Sequence, residues 1–316
     1  MTTTTGTVQA LAAATQSGGH GACLFTLDRR GSLMFTTQET PGGPWQVWQG
    51  PSFGGQPAPG AALACAGQNN GALLLAMIDS KGRIWALSQK GPSHGWAGWQ
   101  GPGLGAQKFT ATAIAAGQLG GARGVQLMAL DDQGGVWSCY QMNPGAAWSG
   151  WTTGLATLSG GQPFAATELA MGQQGNGTLM LVALSGGKLA AFPQTQVGGA
   201  WGAWSPLGLG GQASPLHGIC ACQRGDAGGL RLWGLDAGGQ VWTTAQQGAA
   251  GPWQPWQGPG FAGQPETFVR IAAADQNNLC TLFVGVTAAG AMWSAAETTP
   301  GGAWGKWHRM IAPPPS

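Results

Sequence analysis

The stretch Asp79-Ser-Lys-Gly-Arg-Ile-Trp85, followed by Gln89 and by Trp96-Ala-Gly-Trp99, decides the fold of this chain. The same pattern returns six times, and the first tryptophans of successive pairs are separated by 51, 52, 53, 52 and 51 residues. Only Trp233, among 17 tryptophans, lies outside the pattern. Recurrence at a fixed period of this size is typical of solenoids, propellers and arrays.

Each repeat has the same few marked positions. The first tryptophans of the pairs are Trp45, Trp96, Trp148, Trp201, Trp253 and Trp304, and each is followed three residues later by a second. A glycine precedes each first tryptophan by 14 residues, and the position seven after that glycine holds Gln38, Gln89, Gln141, Gln194, Gln246 or Glu297. The position three after it holds Trp85, Trp137, Trp242 and Trp293, with Met34 and Ala190 in repeats one and four.

One repeat contains four short apolar runs bounded by Gly, Asn, Asp and Pro, which predict four strands. In repeat two these are Ala61–Gly67, Ala72–Asp79, Arg83–Gln89 and Gly95–Gln100. Four strands of about six residues with their turns account for about 50 positions, the size of one propeller blade. The sequence therefore predicts an all-β, six-bladed β-propeller of four-stranded antiparallel blades. The single domain covers 1–316, with repeats at about 8–56, 57–107, 108–160, 161–212, 213–263 and 264–312.

The order of the turns predicts which residues lie at each of the two ends of the ring. Asp79-Ser-Lys-Gly82 is typical of a hairpin turn, in which the aspartate accepts backbone N–H bonds and the glycine takes positive φ. In an up-and-down blade, the first and third connections share one end, here called the first end, and the second connection and the linker share the second end. Gln89 and Trp96 are therefore expected at the first end, and Trp85 and Trp99 at the second.

Composition excludes several classes of partner. Charged residues are 8% of the chain and the net charge is +2, which argues against nucleic acid and anionic membrane surfaces as partners. No apolar run reaches the roughly 18 residues that a membrane span needs. The N-terminus lacks the features of a signal peptide, so we expect a cytoplasmic protein, with release by a non-standard route as an alternative. The sequence leaves homo-oligomerisation open.

No catalytic or metal-binding pattern emerges from the residues. The four histidines occupy unrelated repeat positions, and no nucleophile elbow, phosphate loop or dinucleotide fingerprint is present. The six cysteines lie within apolar strands, which favours free thiols. We therefore predict a protein that is not an enzyme and that needs no metal or cofactor.

The repeat offers aromatic faces beside amides, a combination that suits a neutral sugar, since C–H groups stack on rings while amides bond hydroxyls. The candidate ligand-binding residues are the first tryptophans of the pairs, the tryptophans of the Trp85 class and the Gln89 class with Glu297. Residues three apart on a strand point to opposite faces, so one tryptophan of each pair is expected to pack and the other to be freer. Packing between blades is the alternative role for every ring.

The unit Gly-x-φ-Trp-x-x-x-Gln-x₆-Trp-x-x-Trp resembles the repeat of the Photorhabdus-type β-propeller lectins, most clearly in Gly290–Trp307 and Gly134–Trp151. The resemblance covers nearly the whole chain, and it implies recognition of fucose and related, including O-methylated, sugars. Two departures are visible: that family has seven blades, and only Tyr140 keeps the aromatic residue before the glutamine. Tachylectin- and tectonin-like propellers are the second resemblance, whereas Kelch and WD repeats fit worse.

From residues and resemblance together, we predict a multivalent lectin for neutral monosaccharide termini of glycans, with pockets between blades. The alternative is a non-catalytic scaffold for protein–protein interaction. Repeats one and four are expected to be the poorest binders, because they lack the third-strand tryptophan.

Overall fold

The computed structural model describes residues 8–92, 94–121, 123–153, 161–226 and 228–314. In these residues the chain forms strands and three single turns of 3₁₀ helix, at Leu104–Ala106, Leu209–Gly211 and Phe261–Gly263. None of the helices in the described ranges has the length and apolar character needed to cross a membrane.

The strands form six sheets in chain order, one for each sequence repeat. Blade one contains β1 (Val8–Thr15), β2 (Ala22–Asp28) and β3 (Leu33–Thr37); blade two contains β4 (Gly60–Gly67), β5 (Leu73–Asp79) and β6 (Ile84–Ser88). Blade three contains β7 (Ala113–Gln118), β8 (Val125–Leu130) and β9 (Val136–Tyr140); blade four contains β10 (Glu168–Gln173), β11 (Leu179–Ser185) and β12 (Lys188–Pro193). Blade five contains β13 (Gly218–Gln223), β14 (Leu230–Leu235) and β15 (Val241–Ala245); blade six contains β16 (Arg270–Asp275), β17 (Thr281–Val286), β18 (Met292–Ala296) and β19 (His308–Met310).

The first strands of the six blades form a ring around a central channel. All pairs within a blade are antiparallel, and each first strand contacts the first strand of the next blade, including β16 against β1. Side chains join the last blade to the first: Thr15 Oγ1 donates to the Asp275 carbonyl at 2.7 Å, and Trp48 Nε1 donates to the Ile311 carbonyl at 2.8 Å. The arrangement agrees with the predicted six blades.

The prediction of four strands in every blade is wrong. In the described residues only blade six has a fourth strand, and the other blades have three. Their fourth segments pair with the third strand only at isolated bridges, for example Gln38 with Trp45 and Phe35 with Gln49. The five residues from Trp45 to Gln49 therefore face the four residues from Phe35 to Gln38, which is a one-residue bulge that interrupts the ladder.

Proline explains where some of the fourth segments stop. Gln49 and Gln100 are each followed by Gly-Pro, and proline has no N–H to donate to a ladder. In blade six the corresponding residue is His308, and the next proline is Pro313, so the segment continues as β19. Proline accounts for the end of the fourth segment in blades one and two but not in blade three, where Thr152 is followed by no proline before Pro163.

The hydrophobic core is divided into six clusters, one in each junction between neighbouring blades. Each cluster takes both tryptophans of the pair from the later blade; Trp96 and Trp99, for example, pack against the cluster between blades one and two. The expectation that the two rings would lie on opposite faces is wrong, because the bulge adds one residue and brings both rings to the same side. Each junction therefore has aromatic rings from the first end to the second.

Candidate functional site

The second end of the ring is held by the repeated hairpin turns. Asp79 Oδ1 accepts the N–H groups of Lys81 and Arg83 at 2.9 and 3.0 Å, and Gly82 has φ of 72°. The other oxygen of Asp79 accepts the indole Nε1–H of Trp85 at 3.0 Å. Asp131 with Trp137 and Asp236 with Trp242 repeat this bond at 2.8 Å. The Trp85 class therefore lies at the second end, as predicted.

The Gln89 class lies at the first end, and its shared bond is made within its own blade. Gln89 Oε1 accepts the N–H of Leu73 at 3.0 Å, and Gln38, Gln194 and Gln246 make the same bond to the first residues of their second strands. Gln38 Oε1 also accepts from Gln276 Nε2 of blade six at 2.6 Å. The Gln38 and Gln246 amides donate to carbonyls of the turn before the first tryptophan, as does that of Gln141. All five glutamines and Glu297 are buried. Their role as sugar ligands stays a prediction.

The first tryptophans of the pairs lie next to these amides, because bridges join Gln89 to Trp96 and the equivalent residues in the other blades. Of the 17 tryptophans, only Trp48, Trp201 and Trp233 are buried, and the others are half-buried. The structure thus brings the first tryptophans and the Gln89 class together at the first end. It places Trp85, Trp137, Trp242 and Trp293 at the opposite end, away from them.

A cleft of about 380 Å³ lies between blades five and six, and its walls extend from Arg224 and Gly301 at the first end to Phe261 in the linker. Its walls include Trp304, Phe261, Gln254 and two arginines, Arg224 and Arg231. The guanidinium carbon of Arg231 lies 5.5 Å from the centre of the Trp304 ring, within cation–π range. Phe261 contacts the same indole edge to face at 4.7 Å. The cleft combines an aromatic face with hydrogen-bond donors.

Both arginines of this cleft are neutralised by carboxylates. Arg231 Nη1 lies 2.7 Å from Glu297 Oε1, and Arg224 Nη2 lies 2.5 Å from Asp226 Oδ2. Glu297 also accepts the N–H groups of Thr281 and Gly301 at 3.0 and 3.2 Å. The site therefore presents N–H donors without a net charge, which fits a neutral ligand better than an ion.

Two other junctions are built differently at the equivalent position. Between blades one and two, Phe25, Phe35 and Phe53 fill the space, and all three rings lie within 5.7 Å of Trp96 in edge-to-face contacts. Between blades three and four, Trp201 is buried and stacks on Phe192 at 5.1 Å. The six junctions are thus unequal, although the motif repeats.

Sequence reasoning missed Arg224 and Arg231. The residues equivalent to Arg231 are Cys23, Leu74, Gln126, Met180 and Leu282, so the repeat gave no signal. It also missed the linker glutamines, such as Gln107, whose Oε1 accepts the Ile84 N–H at 2.8 Å and whose Nε2 donates to the Gly82 carbonyl at 2.7 Å. Here a signal existed, because glutamine recurs 25 residues after the turn glycine in most repeats.

The structure gives no support to a divalent-metal centre in the described ranges, where no group of three or more His, Cys, Asp or Glu side chains comes together. All six cysteines are unpaired, and burial raises the pKa of Cys23 to about 12. The thiols therefore serve as apolar core groups at neutral pH.

Comparison with solved structures identifies the fold. A fungal fucose-binding lectin of Aleuria aurantia, a six-bladed β-propeller, matches with a TM-score of 0.65 and 15% identity over 98% of this chain and 96% of its own. The BP39L lectin of Burkholderia pseudomallei matches with 0.62 and 18% over 96% and 84%. SapL1 lectin in complex with α-methyl fucoside matches with 0.63 and 13% over 99% of each. No family model and no curated protein matches this chain.

At these identities the likeness is one of fold, and the fold is the six-bladed β-propeller. The solved structures named above are lectins. The assignment to a Photorhabdus-type or tectonin-like propeller is finer than a likeness of fold and stays an interpretation.

Proposed function

We propose that this protein is a multivalent lectin that binds fucose or a related neutral sugar, including O-methylated sugars, in clefts between blades. The observation that carries the proposal is the cleft between blades five and six, where Trp304 and Arg231 face one cavity of about 380 Å³. Pockets for small ligands have volumes of about 300–1,000 Å³, so a monosaccharide fits. The similarity to fucose-binding propellers supports the same class of ligand.

The chemistry of the cleft suits a deoxy or methylated sugar. The apolar C–H face and methyl group of such a sugar pack on the Trp304 indole, and Phe261 extends this apolar wall. Arg231 retains N–H groups beyond the one bonded to Glu297, and a guanidinium fork donates well to vicinal hydroxyls. The ion pairs hold the arginines in place, so that little side-chain entropy is lost on binding.

Repetition around the ring supplies the proposed multivalency. Individually weak sites on one rigid body gain avidity when a surface presents many sugar termini, provided that the sites face the same side. The first tryptophans all lie at the first end, next to the Gln89 class. We therefore propose that the first end is the glycan-facing side, with the junction between blades five and six as its best-formed site.

Isothermal titration calorimetry with α-methyl-L-fucoside, supported by a glycan array, tests the proposal. We expect Trp304→Ala to raise the Kd of the tightest sites by about tenfold, which corresponds to about 1.4 kcal/mol. Trp96→Ala is the comparison at the same repeat position: three phenylalanines fill the space beside Trp96, so we expect a smaller rise in Kd than for Trp304→Ala. No heat with the fucoside and no signal on the array would refute the lectin and favour the protein-binding scaffold.

A further inference from the structure

The central channel has a polar mouth at the second end, outside the clefts between blades. A cavity of about 380 Å³ lies there, lined by residues from all six first strands. The register of strand pairing makes Ala10, Ala62, Ala113, Glu168, Gly218 and Arg270 equivalent, because each faces the last or next-to-last residue of its second strand. Four of these residues are small and leave the cavity free, while two carry opposite charges.

Glu168 and Arg270 are held apart. Glu168 Oε1 accepts the N–H of Ile219 in blade five at 3.1 Å. Arg270 donates from Nε to the Gln9 carbonyl in blade one at 2.7 Å and from Nη1 to the Val269 carbonyl at 2.6 Å. The charge of Arg270 acts on the Glu168 carboxyl, yet these two residues form no ion pair. Each side chain is anchored to a neighbouring strand, so the two cannot close the gap between them.

We propose that this mouth is a binding site for a small zwitterion, with its ammonium group toward Glu168 and its carboxylate toward Arg270. Arg270 Nη2 is not used by either backbone bond, and it can donate to a carboxylate. The hydroxyls of Thr112 and Thr167 lie in the same wall, but each donates to a backbone carbonyl of its own blade. The wall includes the His217 imidazole but no tryptophan, phenylalanine or tyrosine ring, which separates this site from the sugar clefts.

The electrostatics of the mouth favour such a ligand over a simple ion. Burial raises the pKa of Glu168 to about 7, while the Ile219 N–H and Arg270 act in the opposite direction. An ammonium group in the gap holds this carboxylate ionised, since an opposite charge nearby favours the charged form. An anion alone leaves the Glu168 carboxylate without a counter-charge, with only the Ile219 N–H bonded to it, and a cation alone faces the guanidinium. A zwitterion satisfies both groups.

A purely structural role for the two side chains is the competing explanation, because both connect neighbouring blades. Glu168→Gln separates the two roles: the glutamine Oε1 still accepts the Ile219 N–H, but the charge is lost. Arg270→Gln likewise keeps a donor for a carbonyl of the first strands. A structural role predicts lower stability without any effect on a ligand.

Calorimetry with the full chain tests the site, using glycine, β-alanine and γ-aminobutyrate as probes and acetate and methylammonium as half-probes. We expect one zwitterion to bind at least about tenfold more tightly than either half-probe, and each of the two variants to raise its Kd by about tenfold or more. Trp304→Ala, Glu39→Gln and Arg309→Gln are controls that leave this Kd unchanged; Glu39 and Arg309 are exposed and lie outside the mouth.

Two outcomes would overturn the proposal. One is the absence of heat with all five probes up to tens of millimolar. The other is binding of acetate as tightly as any zwitterion with no effect of Glu168→Gln, which would reveal an anion site only. Circular dichroism and thermal unfolding of each variant show whether a loss of binding comes from a loss of fold.

Discussion

The indole Nε1 of Trp85 donates a hydrogen bond of 3.0 Å to Oδ2 of Asp79, six residues earlier in the chain. Oδ1 of this carboxylate closes the hairpin turn, and Arg83 Nη2 forms an ion pair of 2.8 Å with Oδ2. One buried aspartate thus fixes both the turn and the orientation of the third-strand tryptophan. Repeat four has neither the aspartate nor the tryptophan, since Leu184 and Ala190 stand there.

We expect Asp79→Asn to destabilise the protein by about 1–3 kcal/mol, because an amide NH₂ cannot accept both the indole and the backbone donors. The midpoint of urea unfolding measures the change. Asp132→Asn is the control: Asp132 is exposed and next to the equivalent Asp131, so its substitution should stay within about 0.5 kcal/mol of the wild type. Equal effects of the two substitutions would contradict the assigned role of Asp79.

Acid should weaken the hairpin turns. Burial by itself raises the pKa of Asp79 and Asp131, but the bonds from Trp85 and Trp137 and from the turn N–H groups outweigh it and hold both pKa values below the usual range. A depressed pKa contributes stability above the unfolded value of about 3.9, and this is lost as pH falls through the folded value. We expect the urea concentration at the unfolding midpoint to decrease as the pH is lowered below about 4. The decrease should be less steep in the Asp79→Asn, Asp131→Asn double variant.

A rise in pH toward neutrality should lower the stability of the fold through Asp275. Burial raises the pKa of Asp275 to about 7, Glu297 adds to this, and its Oδ1 has no hydrogen-bond partner. The folded state therefore binds the proton more tightly than the unfolded chain, and stability decreases as pH rises from about 4 to 7.

Asp275→Asn removes this ionisation and should stabilise the protein relative to the wild type at pH 8, by no more than about 4 kcal/mol, with a smaller difference at pH 4. Thermal unfolding at both pH values gives the comparison. A difference that does not change with pH would show that the Asp275 carboxyl titrates normally.

Trp233, outside the repeat pattern, is fully buried between blades five and six, and its Nε1 has no partner. Phe25 holds the equivalent position in blade one, so the fold accommodates a phenyl ring there. We expect Trp233→Phe to cost less than about 1.5 kcal/mol and Trp233→Ala about 3–5 kcal/mol in urea unfolding. If both substitutions cost the same, the indole makes a specific interaction that packing does not explain.

Crystals soaked in α-methyl-L-fucoside should show unequal occupancy. We expect the highest occupancy beside Trp304 and the lowest beside Trp201, because Trp201 is buried against Phe192. Refined occupancies at the six junctions provide the measurement. Full occupancy beside Trp201 would refute this ranking.

The sequence alone predicted much of the fold. The spacing of Trp96, Gln89 and the Asp79 turn gave six units, and the up-and-down order of strands assigned Gln89 and Trp85 to opposite ends. The three main strands of repeat two end within one residue of their predicted bounds. These features follow from local turns and from strand alternation, both of which can be read along the chain.

The sites were harder to predict because they depend on contacts between blades. Arg231 and Trp304 are 73 positions apart in the chain, and an arginine stands at the Arg231 position in one repeat only. Glu168 and Arg270 both line the channel mouth because the strand register places them at equivalent positions of their blades. The bulge before Gln49 could not be predicted from the sequence either, since it is defined by pairing with the third strand.

That single extra residue controls the outer rim of the molecule. With both indoles of each pair turned inward, the positions between them, such as Gln46 and Val47 or Ala97 and Gly98, form the perimeter. Removal of one residue from such a segment would rotate an indole toward the solvent and create an adhesive apolar edge at the outermost part of the blade. The length of this short segment therefore determines whether the paired indoles pack in the junctions of their own molecule or are exposed to other copies of it.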